Sequence, residues 1–324
     1  MRRLTARQLF RIFLKLGLTS FGGPVAHLSY FREEFVVRNR ILEEKTYANL
    51  VALCQFLPGP ASSQVGIGIG ISQAGLRGGL AAWCGFTLPS AIALILLAYG
   101  ITTLEESVIS TGGLHGLKIA AVAIVAQAVW GMGKKLCPDL PRKTVALFAA
   151  LLAISWSGVL GQLSAILGSA ILGLFYFHTE QHPEPAAQLF VPSKRTAISS
   201  LSLFFILLFT LPLLARSGSQ TLAVADSFFR SGSLVFGGGH VVLPLLQAEV
   251  VNSGWISKDL FLAGYGATQA VPGPLFTFSA YLGTALEGFP NGWLGGLLCL
   301  LMIFLPSLLM LLGILPFWNQ LQKN

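Results

Sequence analysis

Charge is what this sequence has least of. Only 10% of its 324 residues are Asp, Glu, Lys or Arg, whereas 54% are apolar or aromatic and the mean hydropathy is +0.72. An ordinary soluble domain carries about a quarter charged residues, so the composition excludes one and puts the chain in a bilayer. Cysteine is scarce as well. Cys54, Cys84, Cys137 and Cys299 are scattered in or beside apolar stretches, which excludes a disulfide-stapled module and a thiolate metal site. The sequence also lacks a Walker-type phosphate loop, a His/Cys metal cluster and a nucleophile elbow. Those absences argue against a primary ATPase or a membrane hydrolase and call for no cofactor. Acidic residues are few, 13 against 21 basic ones, giving a net charge of +8. The Lys and Arg lie in short gaps between apolar runs, the pattern of the positive-inside rule, so nucleic acid is not an expected partner.

The N-terminus opens like a secretory signal, but Arg11 and Lys15 interrupt the stretch that should be uncharged and no small-residue cleavage site follows. It is expected to remain on the mature protein. Ten apolar stretches near the ~20 residues of a spanning helix follow: 9–28, 47–70, 79–101, 115–133, 143–157, 160–178, 197–215, 222–246, 260–283 and 293–317. The fifth and sixth are short and form either two spans or one re-entrant hairpin. Residues 179–196 are a polar linker between an N-terminal half, 1–178, and a C-terminal half, 197–324. Counting Lys and Arg by alternate loops puts both termini in the cytoplasm. On that count Arg32, Arg38, Arg40, Lys45 and Arg216 face the other side, and Lys258 faces the cytoplasm.

The first three stretches (about 9–101) recur in the last three (about 222–317). Phe13 to Pro24, FLKLGLTSFGGP, matches Phe228 to Gly239, FFRSGSLVFGGG, aligning Lys15 with Arg230 and Phe21-Gly22-Gly23 with Phe236-Gly237-Gly238. Glu34 falls on Glu249. QFLPGP (Gln55 to Pro60) then matches QAVPGP (Gln269 to Pro274), and TLPS (Thr87 to Ser90) matches FLPS (Phe304 to Ser307). With three crossings per copy and four between copies, seven crossings separate the two starts. An odd number inverts the second copy, an architecture of secondary transporters.

In each PGP element the first proline, Pro58 or Pro272, ends a half-helix. Gly59 or Gly273 makes the turn, and Pro60 or Pro274 suits the start of a new helix. Free N–H groups are then expected on Ala61 and Ser62, and on Leu275 and Phe276, pointing into breaks near mid-membrane. Two such helix beginnings form a positive, donor-rich centre for an anion. Gln55, Gln269, Ser62, Ser63 and Thr277 are expected to add side-chain donors. Gly22, Gly23, Gly237, Gly238 and Gly239 read as second breaks that allow close backbone approach, with Phe21 and Phe236 beside them on the pathway.

Lys15 and Arg230 sit before those glycines, either as anion attractors at the two mouths or as side chains snorkelling to their own interfaces. Lys118 is expected at an interface. His27, His240, Glu34 and Glu249 are candidates for proton coupling, with ordinary hydrogen bonds or helix-end salt bridges as the alternative.

The paired FGGP and FGGG, QFLPGP and QAVPGP, and TLPS and FLPS elements, in this order over nearly the whole chain, resemble the two halves of the chromate ion transporter family in its long, duplicated form. Arg40 departs from the tryptophan usual there, which Trp255 supplies in the second copy. The resemblance implies an inner-membrane secondary transporter exporting chromate, a tetrahedral dianion like sulfate, with the proton motive force as driving force and chromate resistance as outcome. The fold expected is all-α and polytopic, with about ten transmembrane helices, an inverted repeat and helices broken at the PGP motifs. Expected partners are chromate or a sulfate-like anion and the bilayer, with a homodimer left open. A transporter of sulfate or another small anion, and a non-transporting membrane scaffold or sensor, are the rival readings.

Overall fold

The computed structural model describes residues 3–103, 137–156, 159–176, 192–235 and 239–321, with scattered positions between 112 and 134. Every regular element among the described residues is helical, as the composition requires of a chain whose backbone must satisfy itself within lipid.

The chain opens with α1, Ala6–Thr19, capped by Thr5 and Gln8 in a reciprocal capping box. Gly22 and Gly23, at φ +98° and +77°, then turn the chain into α2, Gly23–Arg32, which continues as a π-helical stretch, Glu33–Arg38. The turn is a reversal. Phe13 of α1 packs edge-on against Phe31, at 5.4 Å, and stacks on Phe35, at 5.2 Å; in a continuous helix these pairs would lie about 27 Å or more apart. The same folding back joins α3, Glu44–Phe56, to the next helix. Leu50 of α3 lies against Gly68, where an added Cβ would come 2.7 Å from its Cδ1. The helical run Ala61–Thr103 is itself two helices, because Ala74 and Gly75 are non-helical. We number them α4, 61–73, and α5, 76–103. Gly70 and Gly78 face each other across this second reversal so closely that a Cβ on either would overlap the other's carbonyl.

The described residues between 119 and 176 belong to a compact unit of their own. It contains α6, Leu140–Ser155, with Asp139 as its cap, and α7, Val159–Tyr176. Leu172 and Tyr176 share a groove with Pro141, Val145 and Phe148, so the two helices run antiparallel.

The rest of the chain belongs with the N-terminal helices. It comprises α8, Lys194–Ala215; α9, Gln220–Leu234; α10, Gly239–Val250; α11, Lys258–Ala270; a 3₁₀ turn, Leu275–Thr277, leading into α12, Phe278–Thr284; and α13, Gly292–Leu321. α9 and α10 fold back on each other, with Ser227 and Arg230 both reaching Glu249. α11 and α12 do the same, with the Tyr281 ring lying over Gly264 and its hydroxyl donating to Leu260 O at 3.1 Å.

Each copy is therefore two re-entrant hairpins followed by one long helix. The hairpin arms α1, α3, α9 and α11 have 14, 13, 15 and 13 residues, or about 20–23 Å, short of a hydrocarbon core of about 30 Å. α5 and the 30-residue α13 exceed it. The apolar stretches 9–28, 47–70, 222–246 and 260–283 are consequently hairpins that enter and return. Among the described residues, three runs are long and apolar enough to cross, Ala61–Thr102, Lys194–Ala215 and Gly292–Trp318, and the first is the folded pair α4 and α5.

The two long helices run antiparallel. Tyr99, near the end of α5, accepts from the Trp293 N–H at the start of α13, at 2.9 Å, and Trp83, near the start of α5, packs on Phe304, further along α13, at 5.6 Å. Equivalent helices in opposite directions mean that the copies are inverted. One crossing per copy, odd as three would be, leaves the parity unchanged.

The re-entrant course also changes which end each loop occupies. The Leu4 N–H reaches Gln73 at the α4–α5 turn, and Trp318 donates to Asn49 of α3. Both terminal segments therefore lie at one end, with loop 39–43. Loop 251–257 lies at the other, where Trp255 O accepts from Glu287 N–H and Gln220 donates to Glu287 O. Arg32, Arg38, Arg40 and Lys45 thus join Arg3, Arg7, Arg77, Lys194 and Arg195 at the terminal end, and Lys258 moves to the opposite end with Arg216. The reason is steric: the glycine turns return the chain to the end it entered from.

Candidate functional site

Each PGP turn docks on the other copy at the middle of its long helix; the first turn is buried, and in the second Pro274 is buried while Pro272 and Gly273 are half-buried. Gly59, at φ +110°, donates its N–H to Val235 O at 2.6 Å, and a Cβ there would overlap Ser307 Oγ. Gly273, at φ +112°, donates to Ser20 O at 3.0 Å, and a Cβ there would lie 2.7 Å from Ser90 Oγ. Val235 is the repeat counterpart of Ser20, and Ser307 that of Ser90. The contacts are thus reciprocal, as a two-fold relation between copies demands. Both positions require glycine, since the φ is one that L-residues rarely adopt and the partner atoms leave no room.

Polar side chains collect around these turns. Ser20, His27, Ser62, Ser63, Gln64, Thr87, Ser90, Thr277 and Ser307 are all buried. Thr277 Oγ1 is satisfied by Pro274 O at 2.7 Å and Ser90 Oγ by Thr87 O at 3.1 Å. Ser20 Oγ, His27 Nε2, Ser63 Oγ, Gln64 Oε1, Thr87 Oγ1 and Ser307 Oγ have no hydrogen-bond partner among the described residues. An unmet buried polar group costs about 1–3 kcal/mol, so a concentration of them marks a place built for something polar.

The first copy provides a true helix beginning. The Gln64 N–H closes the first turn of α4 on Pro60 O at 3.0 Å, leaving Ala61, Ser62 and Ser63 without intrahelical acceptors for their N–H groups. Gln64 Nε2 reaches back to Pro58 O at 2.7 Å and pins the turn. His27 Nδ1 lies 3.4 Å from Ser62 Oγ, and its ring stands edge-on to Phe86 at 5.1 Å. The second copy is built differently. Thr277 N–H already bonds Pro274 O, and the half-helix is a 3₁₀ turn followed by only 7 helical residues. Where the first copy has Ser20, His27, Ser62, Gln64 and Thr87, the second has Val235, Val242, Phe276, Phe278 and Phe304. The backbone is pseudo-symmetric and the chemistry is one-sided.

Several residues singled out from sequence lie elsewhere. Gln55 is exposed, and Gln269 is half-buried and donates to the Tyr265 hydroxyl at 3.0 Å. Lys15, Phe21 and Gly22 are exposed. Arg230 is held by Asp226 at 2.8 Å and Glu249 at 3.3 Å, so two carboxylates offset the cation that was to attract an anion. Glu34 pairs with Arg38 at 3.5 Å, while Glu249 also accepts from Ser227 at 2.7 Å. Gly239 opens α10, which also carries His240. Phe236, Gly237, Gly238 and Lys118 lie outside the described residues. Pro58, Pro60, Ala61 and Pro274 are buried in or beside the turns, with Leu275 next to them and Pro272 half-buried. Ser20, Gln64, Thr87, Ser90 and Ser307 are the additions. Two of those serines close the TLPS and FLPS repeats, a signal already visible in the sequence. No group of acidic, His or Cys side chains able to hold a metal occurs among the described residues.

Two inverted copies that bring the tips of their broken helices together have an architecture found in membrane transporters. The chromate transporter family profile matches residues 7–174 and 222–324, and the chain belongs to that family. It is 27% identical to a chromate transport protein of Pseudomonas aeruginosa over 302 residues, covering 93% of this chain and 70% of the relative. Against a chromate transport protein of Cupriavidus metallidurans it is 25% identical, with 98% and 76% coverage. An uncharacterized transporter of Methanocaldococcus jannaschii is 26% identical, with 99% and 78% coverage. No solved structure gives a significant match.

Proposed function

We propose that the protein exports chromate across the bacterial inner membrane, driven by the proton motive force, and so confers chromate resistance. Both termini would face the cytoplasm, an orientation supported by the basic residues gathered at the terminal end. The observation that carries the reading is the reciprocal docking of Gly59 and Gly273 on the opposite copy, amid buried hydroxyl and amide groups that lack partners among the described residues. Family membership and the names of the relatives supply the substrate class.

The anion is held by the first turn of α4, where backbone N–H groups and the helix dipole favour negative charge, with Ser63 as a hydroxyl donor. No Lys or Arg is needed at the centre, which suits a transporter, because a carrier must release what it binds. Alternating access would come from one copy rocking against the other about the crossed turns.

Radiolabelled chromate uptake into inverted membrane vesicles tests this. Vesicles containing the protein should accumulate chromate above vesicles without it, a protonophore should abolish the excess, and unlabelled chromate should displace the label. Uptake no greater than in control vesicles would remove the transport assignment, and stronger displacement by sulfate than by chromate would reassign the substrate.

A further inference from the structure

Gln64 is fully buried, and its amide cannot turn freely. Nε2 donates to Pro58 O at 2.7 Å and lies 3.4 Å from where a Gly59 Cβ would be, which places the amide inside the turn. Because the donor end is fixed, the acceptor end is fixed too, and Oε1 has no partner among the described residues. An anion site made for a bare dianion should offer donors only, since a lone carbonyl oxygen there would repel it. This one combines the free N–H groups of Ala61 to Ser63 and the Ser63 hydroxyl with one orphaned acceptor, a full atom set for an ion that carries both negative charge and a proton. The bare dianion would leave Oε1 unsatisfied, and a buried site rejects a ligand that leaves its polar group unpaired.

We infer that the first-copy turn binds a tetrahedral oxyanion in its singly protonated form, with Gln64 Oε1 accepting the ligand's own O–H. The inference rests on the transport reading and adds the ionisation state of the cargo. Chromate takes up its first proton close to neutral pH, whereas sulfate and selenate remain dianions throughout that range. The site can therefore separate chromate from the sulfate it resembles in size by the proton alone. The proton enters and leaves with the ion, no protein group changes its protonation, and each turnover moves one negative charge, which an inside-negative membrane potential drives outward.

Among the described side chains, the titratable one facing the site is His27 on α2, through Ser62. Ser307 of α13 and Val235, which follows α9, contribute none. A pH effect arising on His27 would act on every oxyanion alike, so a second oxyanion separates the two causes.

The test is chromate flux into proteoliposomes of the full chain, from one pH unit below chromate's own pKa to one above, with selenate as competitor. For the wild type the half-saturating total chromate should rise about tenfold across that range, as the protonated fraction falls about tenfold, and excess selenate should not compete. Ser63→Ala should raise half-saturation about tenfold or more at every pH, the cost of one hydrogen bond to a charged group, with the pH trend intact. Gln64→Leu should flatten the trend and admit selenate. If that variant fails to fold, the wild-type series still decides. A half-saturation independent of pH, or selenate competing as well as chromate, would overturn the inference while leaving transport standing. Absence of chromate flux at every pH would overturn the transport reading, and this proposal with it.

Discussion

Gly59→Ala is expected to slow transport severely, and Gly273→Ala to do the same, although each adds one methyl group. Two penalties coincide at both sites. The backbone angles of +110° and +112° are ones in which a Cβ is strained, at about 1–3 kcal/mol. The new carbon would also meet Ser307 or Ser90, side chains buried within a long helix. The turn must shift, and with it the N–H bond to Val235 or Ser20 that joins the two copies. A loss of at least about tenfold in the initial rate follows from about 1.4 kcal/mol at the site, with monodisperse protein recovered from the membrane. The double variants Gly59→Ala/Ser307→Gly and Gly273→Ala/Ser90→Gly remove the overlap but not the strain, and should recover part of the rate. Wild-type flux in Gly59→Ala would take the turn out of the pathway.

The second large effect is expected on assembly. A Cβ on Gly17 of α1 would lie 2.8 Å from the carbonyl oxygens of Gly85 and Phe86 on α5, and one on its counterpart Gly232 of α9 would overlap Ile303 O on α13. These neighbours are backbone, so no side chain can rotate aside, and the hairpin arm has to separate from the long helix. Overpacking costs about 1–3 kcal/mol even where side chains can adjust. Gly17→Leu and Gly232→Leu should therefore melt well below the wild type in fluorescence-detected size exclusion and yield little folded protein. Gly173→Leu, at a glycine with nothing within 4 Å of its Cβ position, should match the wild type. Equal melting of all three would mean that the arms do not seat on the long helices as described.

Much of this arrangement was legible in the residues. The paired motifs gave the repeat, the prolines and glycines gave the breaks, and crossing parity gave the inversion. Direction through a break was not legible. A 47–70 stretch of apolar residues satisfies a hydropathy window whether it crosses or returns, and the reversal is decided by Gly59 at positive φ together with the remote packing of Leu50 on Gly68. Loop sidedness depends on that direction, so a count over alternate loops puts Arg32, Arg38, Arg40 and Lys45 at the wrong end. The glutamine was misplaced for a more local reason. Gln55 precedes the break, but helical side chains tilt toward the N-terminus, so the residue placed to reach back over the turn is Gln64, one helical turn beyond Pro60. Arg230 was likewise read against its counterpart Lys15, while Asp226 four residues before it, where the first copy has Arg11, already provided an i,i+4 partner.

The most direct test of the inverted re-entrant architecture is the sidedness of two exposed loop positions. In a background with its four cysteines replaced, Glu43→Cys and Asn252→Cys are labelled with an impermeant maleimide in sealed right-side-out and inverted vesicles, beside a cysteine placed in the N-terminal segment. Re-entrant hairpins predict that position 43 reacts from the same side as the N-terminus and position 252 from the opposite side. Position 43 reacting from the side opposite the N-terminus would contradict them.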